Sequence, residues 1–241
     1  METISAFVMT VFVLTTVITV WQFYNASGKS NTVLVGLGIW MLLQSIVGFS
    51  GFYQNSESVP PGFALLIAPG ILFTLLIFGT KKGRAFTDSL NIKKLTLIHT
   101  VRIPVEITLY FVFMAGLIPM LMTFEGNNYD IISGVTAPVV FYIVFIRRKA
   151  NQTILLLWNI ICLGLLINVL TIAILSAETP FQKLAFDQPN IGVTYFPFVW
   201  LPSVIVPIIL LSHLATIRQL VILLIANKNN VVRRSTDNLY L

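Results

Sequence analysis

The chain has 241 residues, 15 Lys and Arg against 9 Asp and Glu, and only 10% charged residues, where a water-soluble domain carries about 25%. With a mean hydropathy of +0.89, a soluble enzyme, a disordered tail protein and a disulfide-rich secreted domain are excluded. One cysteine, Cys162, allows no internal disulfide or thiolate metal cluster, and two histidines, His99 and His213, cannot build a three-histidine zinc centre or an HExxH protease.

A bilayer-crossing helix needs about 20 mostly apolar residues. Seven stretches meet or approach that length: 4–23, 32–52, 61–79, 97–118, 131–146, 153–175 and 196–216. The predicted architecture is therefore an all-α, seven-helix membrane bundle over residues 1–226, with a polar tail at 227–241. Met1-Glu2-Thr3 offers no positive n-region, and no small-x-small site follows, so the first stretch reads as a retained helix rather than a signal peptide. In the second, Gln44 is a polar residue near mid-depth, and Gly36 and Gly38 read as close-packing sites. Pro69-Gly70 interrupts the third, and Lys81-Lys82-Gly83-Arg84 reads as loop punctuation after it.

The fourth stretch carries His99, Arg102 and Glu106. At 100° per residue these and Tyr110 fall within an arc of ~80°, a polar stripe that must face the bundle or a cavity. Gly116 in the same stretch reads as a further close-packing site. The loop Met122-Thr-Phe-Glu125-Gly126-Asn-Asn-Tyr-Asp130 follows; Glu125 and Asp130 read as an external access site for a cation or substrate, with helix capping by Asp130 as the plainer alternative. The fifth stretch is the shortest. The sixth brings Trp158-Asn159 to mid-depth. The seventh opens on an aromatic segment from Tyr195 to Pro202, is interrupted by Pro202 and Pro207, and carries His213. The apolar run from Arg218 to Ala226 either continues that helix or bends into an interfacial one.

All but two of the 15 basic residues fall on one side of this arrangement, from Lys29, Lys81 and Arg84 through Arg147, Lys149 and Arg218 to Arg234. Glu2, Glu57, Glu125, Asp130, Glu178 and Asp187 fall on the other. Basic loops stay cytoplasmic, so the expected orientation has the N-terminus outside and the tail inside a bacterial cytoplasmic membrane. The same rule explains a pI near 9.6, and no nucleic-acid partner is expected.

Arg102 and Glu106 are spaced to pair, and Glu106 lies about 18 Å along the helix from Lys94, near the bilayer centre. The pair reads either as a neutralised packing device or as a proton-linked or anion-binding site. Pro104 would leave the Thr100 carbonyl free for a ligand. His99 and His213 at matching depth suggest a second reading, a redox protein with b-type haem or quinone, and with Glu106 they suggest a three-ligand metal site. Ordinary hydrogen-bonded histidines are the bland alternative.

The strings Met122-to-Ile131 and Phe196-Pro-Phe-Val-Trp-Leu-Pro202, with the His99-to-Glu106 stripe, resemble an uncharacterised bacterial seven-helix integral membrane protein family. The resemblance covers most of the chain and implies no activity. The outside N-terminus is similar to rhodopsins, but no lysine is available for a retinal link in the seventh stretch. Ceramidase-like hydrolases resemble the chain in helix number, but they use three histidines.

The expected function is binding or transport of a small solute, anionic or proton-coupled, in a cavity lined by His99, Arg102, Glu106, Tyr110, Gln44, Asn159 and His213. No nucleophile–base pair argues for an enzyme. A third reading is a structural subunit that meets a protein partner through its basic cytoplasmic loops or tail.

Overall fold

The computed structural model describes residues 4–56, 58–148 and 151–237, with side chains to residue 228. Expectations resting on residues 1–3, Glu57, Lys149 and 238–241 lie outside the described residues. The described chain is all-helical, and six helices are long and apolar enough to cross a membrane.

Helix α1 (Ala6–Ala26) starts where the Ser5 hydroxyl accepts the Val8 N–H. Helix α2 (Asn31–Phe49) buries only Gln44 and Gly48; it is held from outside the core. There Trp40 Nε1 donates to Ser203 O at 2.8 Å. Pro207 lacks the N–H that would take that carbonyl one helical turn on, so the indole fills its place. A Cβ on Gly36 or Gly38 would meet nothing within 4 Å, and neither is a close-packing site. Gly116 is not one either: its φ of 78° ends a helix and its surroundings are open.

Helix α3 (Gly62–Gly79) runs through Pro69 without a break. Its neighbour Gly70 is a true close approach, since a Cβ there would lie 2.5 Å from Pro207 Cγ. The basic segment read as loop punctuation forms α4 (Lys81–Ser89), capped by Thr80, whose hydroxyl accepts the Gly83 N–H at 2.9 Å. The fourth stretch is compound: α5 (Ile92–Ile98), a 3-10 turn at His99–Val101, and α6 (Arg102–Met114). Pro104 explains the turn, because its ring crowds the carbonyl of Thr100 and tightens the preceding turn. The Thr100 carbonyl expected to be free instead faces the Arg102 N–H, which also reaches the His99 carbonyl.

The fifth stretch differs most from expectation. Helix α7 (Ile131–Phe141) with the wide turn Tyr142–Ile146 falls short of membrane length. It begins beside Arg102, at the middle of the Ile92–Met114 run, and ends where Lys93 Nζ stands 5.9 Å over the Phe145 ring. It therefore lies along α5, the 3-10 turn and the start of α6 rather than along the whole run. The preceding loop dips inward to meet it: the Asn127 carbonyl accepts from Asn168 Nδ2 at 2.8 Å, about 10 Å short of the end of α8 (Gln152–Leu175). A wide turn at Leu201–Ile205, containing Pro202, leads into α9 (Val206–Asp237), which continues unbroken through the apolar run 218–226. Arg218 of α9 grips Asp88 of α4 with Nε at 2.8 Å and Nη2 at 3.0 Å.

Candidate functional site

The polar stripe divides among separate partners: the 3-10 turn sets His99 off from the regular helix α6 that carries Arg102, Glu106 and Tyr110, and these three also part company. Arg102 is 2% exposed and its Nη1 bonds Asp130, not Glu106. The expected Arg102–Glu106 pair is thus replaced by one reaching 28 positions along the chain. Gly134 makes this possible: a Cβ there would lie 2.9 Å from Ile103 Cγ1, so only glycine lets α7 come close enough to set Asp130, one turn earlier, beside Arg102.

The other Arg102 nitrogen, Nη2, lies 3.0 Å from His213 Nε2. A guanidinium only donates, so His213 Nε2 accepts and its Nδ1–H donates to Asn159 Oδ1, 3.0 Å away. Asn159 Nδ2 donates in turn to Leu155 O. On the far side, Asn128 joins the acids: its Oδ1 accepts the Asp130 N–H at 3.0 Å and its Nδ2 donates to Glu106 Oε2 at 2.7 Å. One hydrogen-bonded chain thus runs Asn159–His213–Arg102–Asp130–Asn128–Glu106 across α8, α9, α6 and the inward loop. Asn128 escaped sequence reasoning because Gly-Asn-Asn reads as turn chemistry.

The His99 ring stacks on His213, with centroids 4.0 Å apart and planes 19° apart. Its other neighbour is the Trp158 edge, which is fixed by a 2.9 Å bond from Nε1 to Thr136 Oγ1. Neither His99 nitrogen has a partner, although the residue is fully buried. Imidazoles stacked face to face leave no gap for a porphyrin between them, so this arrangement does not fit a bis-histidine haem. Among the described residues no group of three His, Cys, Asp or Glu side chains is placed to hold a metal, and Glu106 lies with Asn128 rather than with the histidines.

A cavity of about 60 Å³ has Arg102, Glu106 and Asp130 in its wall. The remaining lining is apolar, with Phe63 and Ile67 of α3, Leu109 of α6 and Leu166 of α8 among it. Tyr110 is half-buried outside this cavity, stacked on Phe124 at 5.2 Å. Gln44 belongs elsewhere too: its Oε1 accepts from the Tyr53 hydroxyl at 2.7 Å. Burial holds that phenol above the ordinary tyrosine value, and the Gln44 bond draws it part of the way back. Asp130 is 5% exposed and lies deep in the bundle, while Glu125 is exposed. The two therefore do not form a joint external access site.

No curated protein and no solved structure matches the chain. Residues 62–221 match a domain of unknown function, DUF8737, a span that holds the whole network from Arg102 to His213. The chain belongs to this uncharacterised family, DUF8737.

Proposed function

We propose that the protein crosses a membrane seven times, N-terminus outside, and that it binds and moves a small solute exchanged against a proton at Glu106. The fifth crossing is composite: the loop after α6 turns inward, and α7 completes the path to the basic side at Arg147. The observation that carries the functional reading is the cavity, apolar except where Arg102, Glu106 and Asp130 meet it. Asp130 already answers the charge of Arg102, and among the described residues Glu106 forms no ion pair. Glu106 is thus the acid left over. A buried ionisable side chain in an apolar helix lining a cavity is a group suited to proton exchange.

The test uses vesicles containing the protein and an internal pH dye, challenged with a panel of small charged solutes. At least one solute shifts the internal pH through the wild-type protein and fails to do so through Glu106→Gln. A panel that shifts nothing, or that acts alike on both proteins, contradicts the reading.

A further inference from the structure

A second cavity, of about 110 Å³, lies between the start of α3 and the segment that joins α8 to α9. Its lining includes Tyr53, Glu178, Asn190, Tyr195 and Phe63. Phe63 also lines the inner cavity, so one residue borders both spaces.

Asn190 is 1% exposed and mostly satisfied. Its N–H donates to Ser176 O at 2.8 Å and its Nδ2 to Ala173 O at 3.1 Å, but its Oδ1 has no partner. Exchanging the amide ends would not help, since the nitrogen is already bonded. A buried acceptor without a donor costs free energy unless something arrives to donate to it. Glu178, Tyr53 and Tyr195 share the lining of that cavity, and tyrosine faces also attract cations. Across both cavities the charged groups among the described residues are Glu106, Asp130 and Glu178 against Arg102 alone, and Arg102 is bonded to Asp130.

We propose that the two cavities form one route for a small organic ammonium ion with an apolar body, admitted at Asn190 and Glu178 and passed by Phe63 to Glu106. The proposal rests on the reading of the inner cavity as a solute site and adds the class of solute and its path. The ammonium group meets oxygen acceptors at both ends, while the apolar body fills the lining between them. An anion of the same size finds no unpaired cation along the path.

The test is calorimetric titration of the full chain in detergent with methylammonium and with acetate, which share a methyl group, differ in charge and are small enough for the inner cavity of about 60 Å³; empty micelles supply the baseline. Methylammonium binds saturably and acetate does not. Glu178→Gln, at an exposed side chain, weakens methylammonium about twofold to fivefold, and Glu106→Gln weakens it about tenfold or more. Tighter binding of acetate overturns the proposal, as does no saturable binding of methylammonium at millimolar concentration. Unchanged affinity in Glu178→Gln overturns the outer route. If acetate is instead the solute that shifts internal pH in a Glu106-dependent way, the inner-site reading stands and the ammonium assignment falls.

Discussion

Arg102 and Asp130 are the costliest groups in the bundle to bury, and each is tolerable only beside the other. Asp130→Asn keeps the shape but leaves the guanidinium uncompensated, and it destabilises the fold by about 3–5 kcal/mol. The double change Arg102→Met with Asp130→Leu removes both charges and costs less than Asp130→Asn alone. Denaturant titration of the wild type and the two variants checks this, and a double change that costs as much as Asp130→Asn or more contradicts it. Arg102, Glu106, His213 and Asn159 were legible in the sequence because polar groups in apolar helices must find partners. Their actual partners were not. The i,i+4 rule favoured Glu106 for Arg102, but the glycine-permitted contact of α7 with α6 brought Asp130 closer.

At the scale of helices, hydropathy located the apolar runs well, since Gln152–Leu175 and Gly62–Gly79 lie within a residue of the stretches read for them. It could not show that α7, whose composition is as apolar as the others, falls short of membrane length and starts from an inward loop. Helix α4 was hidden because Lys, Gly and Arg in sequence mark a loop by composition, while a Thr80 cap and the Arg218–Asp88 pair make it a helix. Glycines were equally ambiguous. Gly70→Ala forces α3 away from Pro207 and costs about 1–3 kcal/mol, whereas Gly36→Ala, facing open space, is neutral or stabilises by about 0.5–1 kcal/mol. Thermal unfolding of the two variants separates these outcomes; equal effects would contradict the contact at Gly70.

Across the whole molecule, three features meet at one level: the middle of the α5–α6 run, the start of α7, and the inner cavity. The asymmetry of basic residues was legible from charge alone and gives the proposed orientation. The inward loop was not, because nothing in Gly126-Asn-Asn-Tyr-Asp130 distinguishes a surface turn from one that enters the bundle. That loop makes Asp130 a structural acid locked to Arg102 and leaves Glu106, in the wall of the inner cavity, as the acid available to the proposed solute. Treatment of the protein in vesicles with a lipid-soluble carbodiimide, followed by mass spectrometry of its carboxyl groups, tests that division directly. Modification concentrated on Glu106, with Asp130 spared, is the predicted result; modification of Asp130 in preference to Glu106 would contradict the account.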